Sequence, residues 1–229
     1  GSTNTVLHML AVAAEAGVDY DMARVNDLSA RTPNICKVSP SSDYHIEDVH
    51  RAGGIHTVLG EIERGRPGLL HLDCPTVTGR TLGDNIAGWD IRGPSPSREA
   101  LQMAAAGPSG RLGTPAMSHP RAADSIRDIK DLGFDPYDCI RPCDKAHSQE
   151  GGLVILYGNL APDGCVIKPS AATPKLLKHK GRAVVFEDVD DLHKRIDDPK
   201  LDVDPSCVLV LKNCGPKGYP GFPEVGNFA

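Results

Sequence analysis

Along residues 1–92 apolar positions recur every three or four residues, which is the period of helices that bury one face. In GSTNTVLHMLAVAAEAGV, Val6, Leu7 and Leu10 share a face. The cap-forming types Ser2, Thr3 and Asn4 precede them, and Gly17 suits the stop. DMARVNDLSARTP repeats the pattern, with Asp21 as cap, Met22, Val25 and Leu28 on one face and Pro33 as terminator. A third helical region is predicted through YHIEDVHRAGGIHTVLGEIERG, where Ile55, Val58, Leu59 and Ile62 resume the stripe after the Gly53-Gly54 break. Faces of this kind need a partner surface.

From residue 93 the texture turns rich in Pro, Gly, Ser and Ala, as in RGPSPSREALQMAAAGPSGRLGTP. This predicts a linker or excursion with short helices at Arg98–Ala106 and Ala122–Leu132. After Gly151 short aliphatic runs bounded by Gly, Pro or Asp take over: GGLVILYGNLA, GCVIKPS, RAVVFED and SCVLVLKN. Only Val189–Ile196 returns to helical spacing. The predicted class is α+β, with a helical part over 1–92, an irregular bridge over 93–150 and a β-rich part over 151–229.

Composition narrows the function classes. A charged fraction of 24% beside 40% hydrophobic residues is that of a folded globular chain, and no apolar run is long enough to cross a bilayer. The net charge of -5, with Lys and Arg scattered, gives no phosphate-neutralising surface, so nucleic acid and membrane partners are not expected. Seven cysteines, an odd number without a CxxC pair, read as reduced thiols of a cytosol-like compartment. The chain opens on GSTNT with no leader, so any targeting signal is expected outside it. A cytoplasmic location is expected, with an organelle matrix as the alternative.

Several residue groups could carry chemistry. Backbone N–H groups at Ser2, Thr3 and Asn4 could hold an anion such as a substrate carboxylate, or receive side-chain caps; capping is the favoured reading. His8 reads as packed or solvated. In EDVHR, Glu47 and Arg51 are four apart and can pair, while Asp48 and His50 point to different faces, so a solvated helix end is favoured over an acid–base site. TGRTLGDN lacks the spacing of a phosphate-binding loop. Cys139 and Cys143 have neither further thiols nor a His pair for zinc. Glu224, in GPKGYPGFPEVG, is one carboxylate in a loop stiffened by Gly and Pro, a suitable mount for a hard-cation ligand or an ordinary turn acid.

Six stretches in order, GSTNTVLHMLAVAAEAGV, LSARTPNI, EDVHRAGGI, TGRTLGDNI, GGLVILYGNLAPDGCVIK and GPKGYPGFPEVG, resemble the dihydroxy-acid and sugar-acid dehydratase family. The likeness covers almost the whole chain apart from 93–135. CIRPCDKAHSQEGG and the ending KNCGPKGYPGFPEVGN look closer to its aldonate (pentonate) members. The resemblance implies a hydro-lyase that converts a 2,3-dihydroxy acid, a small sugar acid, to a 2-keto-3-deoxy acid. It implies an iron–sulfur cluster held by three Cys, a nearby Mg²⁺, a serine base, and a homo-oligomer. The implied architecture is the helical end of an N-terminal α/β domain, then the start of a swivelling β-barrel-like domain. Glu224 matches the Glu of the family's PGxPE motif, which faces the Mg²⁺, and Ser2, Thr3 and Asn4 become neighbours of the substrate.

In that family a Cys-Asp-Lys triplet supplies cluster and Mg²⁺ ligands. Cys143-Asp144-Lys145 occurs instead on the approach to GGLVILYGN, so a plain surface turn is expected there. The cluster motifs are expected before Gly1 and the serine motif after Ala229. The expectation is therefore an internal fragment with no catalytic residue of its own, inert and without bound cofactor when isolated. Open alternatives are a branched-chain dihydroxy-acid dehydratase, a non-catalytic module retaining the fold, and an aconitase-type isomerase.

Overall fold

The computed structural model describes residues 3–39, 41–105 and 133–214. Helices α1 (Asn4–Glu15) and α2 (Met22–Arg31) form where the stripes predict them. Asp21 caps α2 by accepting from the Arg24 amide at 2.8 Å. The third predicted region is two helices, α3 (Ile46–Arg51) and α4 (Gly54–Gly65), because Gly53 and Gly54 take φ values of 124° and 70°. α5 (Leu82–Trp89) opens on a reciprocal cap: Thr81 Oγ1 accepts from the Asp84 amide and Asp84 accepts from the Thr81 amide. α6 (Arg98–Ala105) matches the expected short helix, and α7 (Pro136–Cys139) is a single turn capped by Asp135. The helix expected over 122–132 lies outside the described residues.

Two compact units result, one over Val6–Ala171 and one that takes in Thr3–Thr5 together with the residues from Ala172 onward. In the first, β1 (Val154–Gly158) and β2 (Ala161–Ile167) form an antiparallel hairpin pairing Val154 with Ile167 and Leu156 with Cys165. The free edge of β1 is satisfied by α2. Asn26 Nδ2 donates to the Ile155 carbonyl at 2.9 Å, and its Oδ1 accepts from the Ile155 amide at 2.7 Å. Ser29 Oγ donates to the Leu153 carbonyl. Helix side chains thus replace a neighbouring strand. Val6, Val25 and Ile155 close the space between these elements.

In the second unit β3 (Ala183–Phe186) and β4 (Val208–Leu211) pair in parallel, joined through α8 (Val189–Arg195). Parallel pairing demands such a crossover. Phe186, Leu192 and Val184 form its core, and Asp188 caps α8 by accepting from the Asp191 amide. The fold is α+β with small sheets; among the described residues the strands make two two-stranded sheets.

α4 buries Ile62 and part of Val58 from the stripe its sequence predicts, but not Ile55. Ile55 is 61% exposed, while Thr57, Gly60 and Glu61 are buried beside Ile62. The helix is turned so that Glu61 meets a buried cation rather than solvent. Cys143 also departs from expectation. It opens a 3₁₀ turn (Cys143–Lys145) but is only 4% exposed, in the core with Ile35, Val49, Ile62 and Ile140. Its thiol donates to the Glu61 carbonyl at 3.3 Å. Asp144 and Lys145 alone face solvent.

The fit is close because Gly65 lies against Cys143, whose Cβ and Sγ an added methyl would strike. Gly65→Ala is expected to lower stability by about 1–3 kcal/mol through overpacking. Gly88→Ala, in α5 with open space beside it, should be neutral or slightly stabilising. Urea melts of the two variants check the contrast.

Candidate functional site

Ser2 and Glu224 lie outside the described residues; Thr3 forms the turn before α1 and Asn4 is its first residue. His8 is exposed on α1. Of the EDVHR cluster, Glu47 is exposed and the other polar residues serve the fold. Asp48 accepts from the His45 amide at 2.8 Å, His50 Nε2 contacts the Met103 carbonyl at 3.2 Å, and the Arg51 guanidinium lies 5.6 Å from the Phe134 ring centroid. α3 is therefore tied to α6 and to the segment before α7. TGRTLGDN folds as a polar turn that runs into the first turn of α5. Asn85 is buried there and donates to the Thr76 and Thr78 hydroxyls at 2.7 and 3.0 Å.

The strongest electrostatic feature was not singled out in the sequence. Arg92, just beyond α5, has a side chain only 8% exposed and meets Glu61 Oε1 at 3.1 Å. It also donates to the carbonyls of Ile140 at 2.7 Å and Pro136 at 2.6 Å, and stacks 4.2 Å from the Tyr137 ring centroid. Arg64 joins by contacting Glu61 at 3.1 Å and Asp90 at 2.5 Å. Buried charge is tolerated because each carboxylate faces a guanidinium and the spare donors find carbonyls. This lattice pins α4, α5 and the α7 turn together. A carboxylate at the stripe position three after Val58 was the available signal.

A second network borders a concavity of about 340 Å³ lined by Tyr137, Asp138, Arg141 and Lys145 among others. Asp138 accepts from Arg141 Nη2 at 2.6 Å and from the Tyr44 hydroxyl at 3.0 Å. The Arg141 bond, then the Tyr44 bond, holds the Asp138 carboxyl below the usual range. Tyr44 is pushed up to about 12, by burial first and then by Asp138. The folded carboxyl titrates below the unfolded one, so its stabilisation is present above the ordinary carboxylate range and fades as pH falls through the folded value. The phenol shifts the other way: its contribution is present below the ordinary 10.0 and lost as pH rises towards about 12. Asp138→Asn should flatten the acid limb of a stability–pH profile, and Tyr44→Phe the alkaline limb. Chemical denaturation across pH reads both.

A wider groove of about 640 Å³ carries Arg31, Arg66, Gln149 and Glu150. Arg31 pairs with Asp27 and Arg66 donates to Gln149, so both guanidinia already have acceptors. Among the described residues no three His, Cys, Asp or Glu side chains converge as a metal set, and no helix is long and apolar enough to cross a membrane. All seven cysteines are free thiols.

Residues 1–85 match the family described as dihydroxy-acid/6-phosphogluconate dehydratase, N-terminal, and residues 138–229 match its C-terminal counterpart. The chain belongs to this dehydratase family. Among curated relatives, an L-arabinonate dehydratase of Rhizobium leguminosarum bv. trifolii (strain WSM2304) is 41% identical over 227 residues, covering 99% of this chain. The chain spans 31% of that relative's length. The two family matches leave out 86–137, which includes most of the Pro- and Gly-rich bridge.

Proposed function

We propose that this chain is part of a sugar-acid dehydratase that removes water from an aldonate to give the 2-keto-3-deoxy acid. The observation that carries the reading is the 41% identity to an L-arabinonate dehydratase along nearly the whole chain. In this reaction the proton at C2, beside the carboxylate, leaves to a base, and the hydroxyl at C3 departs. The enol formed becomes the ketone by taking a proton at C3. An iron–sulfur cluster and Mg²⁺ would supply Lewis-acid assistance to the departing hydroxyl and hold the carboxylate. The described residues bring together no donor set for either group.

Glu224 is the residue of this chain proposed to offer a carboxylate oxygen to Mg²⁺, an ion that takes hard oxygen donors. The backbone at Ser2, Thr3 and Asn4 is proposed to lie against the substrate carboxylate. Residues 1–92 are proposed to close the N-terminal domain and 151–229 to begin the swivelling one, in a homo-oligomeric cytoplasmic enzyme. To test the substrate class, the complete gene product is purified anaerobically with Mg²⁺ and offered pentonates, hexonates and 2,3-dihydroxyisovalerate. Preferred turnover of an aldonate is expected. Preferred turnover of the branched-chain acid would move the protein to the biosynthetic branch, because a site built for sugar hydroxyls leaves its polar groups unpaired with that substrate.

A further inference from the structure

The sheet of β3 and β4 is covered on one face only. Val184 and Phe186 are buried with Leu192 of α8, and Leu209 and Leu211 pack against them. On the other face the register sets Ala183 beside Val208 and Val185 beside Val210. Ala183 is exposed there, Val185 is 38% exposed and Val208 is 42% exposed. Sheets whose strands run parallel are covered on both faces, and their strands read as unbroken aliphatic runs, as VLVL does in β4. This run suits a cover that the described residues do not supply.

The two outer edges of the sheet differ. Along β3, Arg195 Nη1 donates to the Val185 carbonyl at 3.1 Å with its guanidinium 4.8 Å from the Phe186 ring centroid, so a charge guards that edge. Along β4, the Val208 amide donates to the Arg182 carbonyl at 2.8 Å and the Lys212 amide to that of Phe186 at 2.9 Å. Amides alternate in direction along a strand, so those of Leu209 and Leu211 turn to the opposite edge, where no described residue accepts from them. Neither a charge nor a proline interrupts Val208–Leu211. Such an edge is a template for another strand.

We propose that β4 is an inner strand of the complete dehydratase: an aliphatic strand from the part of that polypeptide outside these 229 residues pairs with its open edge and carries the cover for the face of Val185 and Val208. The chain spans 31% of the L-arabinonate dehydratase it matches, so a protein of that length has ample further chain to supply the strand. A second copy fits less well. Four residues of edge bury far less than the roughly 1,200–2,000 Å² of a stable interface between separate molecules, whereas a covalently attached strand loses no translational freedom on docking. The proposal rests on the larger dehydratase proposed above, but not on which acid is dehydrated.

The test follows amide hydrogen exchange in the complete protein, with fragmentation that resolves single residues. The Val208 and Lys212 amides, bonded to β3, are the reference for a folded unit. The Leu209 and Leu211 amides should exchange about 100-fold or more slowly than in an unstructured chain, as those of an inner strand do. Exchange of these two at the unstructured rate, with Val208 and Lys212 still protected, overturns the proposal. A photo-crosslinking p-benzoylphenylalanine in place of Val208 then identifies the cover. Capture of a peptide from outside these 229 residues, within a single chain, is expected. Capture of a peptide from inside them, a cross-linked dimer, or no capture overturns it. Should the substituted protein fail to fold, the wild type decides by dilution: protection that persists in single protomers supports the proposal, and protection that vanishes assigns the strand to a second copy. Failure here would leave aldonate turnover untouched, and a different substrate would leave the exchange pattern untouched.

Discussion

Replacing Arg92 with methionine is expected to cost about 3–5 kcal/mol of stability, enough to leave a domain of ordinary stability marginal. The side chain's stem could be mimicked, but three things would be lost together. Glu61, 9% exposed, would keep its charge with only the partly exposed Arg64 to meet it. The Ile140 and Pro136 carbonyls would lose their donor, and the Tyr137 ring its stacked cation. Most of the cost comes from charge and acceptors left behind in a dry place rather than from the bonds themselves. The double variant Glu61→Gln with Arg92→Met should therefore recover part of the loss. Denaturant midpoints of the wild type, both single variants and the double variant form the cycle that separates these terms. Additive losses would contradict a coupled lattice.

In the complete enzyme, Glu224→Gln is expected to lower turnover by about 100-fold or more and to raise the Mg²⁺ concentration needed for activity. The substitution keeps the shape of the side chain and removes the charge that attracts a hard cation. Loss of an outer-shell partner costs about 10–100-fold, so a direct oxygen ligand should fall at or beyond the upper end. The absorbance of the proposed iron–sulfur cluster should survive, because a Glu-to-Gln change removes no thiol. Turnover and Mg²⁺ dependence matching the wild type would return Glu224 to the role of an acid in a rigid turn.

Much of the helical part was legible because its signals are local. Asp21, Gly17 and the Gly53-Gly54 break act within one turn of chain, and each sits where its neighbours predict. The return to helical spacing at Val189 was legible for the same reason. What could not be read were pairings set by residues far apart. Nothing near Glu61 tells that Arg92 will neutralise it, so the helix turns a stripe residue, Ile55, outward instead. Cys143 looked like part of a surface triplet, since its burial depends on Gly65 offering no side chain. The strands were recognisable, but not that, among the described residues, β1 would pair only with β2 and take its other edge from Asn26 and Ser29 of α2.

For the candidate site, the motif order carried the family, which residues 1–85 and 138–229 match. The polar clusters did not carry a site. Glu47, Asp48, His50 and Arg51 share a helix turn, yet Asp48 serves as a cap, His50 reaches α6 and Arg51 lies over Phe134. Spacing alone cannot separate such roles, because each partner comes from another element.

Dehydration of a sugar acid is tested most directly by running the complete, anaerobically purified protein on an aldonate in deuterium oxide and examining the product by NMR. Loss of the C2 proton followed by ketonisation at C3 should give a 2-keto-3-deoxy acid carrying one solvent-derived deuterium at C3. Aldonate returned unchanged by protein with an intact cluster and saturating Mg²⁺, or converted to a product that keeps both hydroxyls, would contradict it.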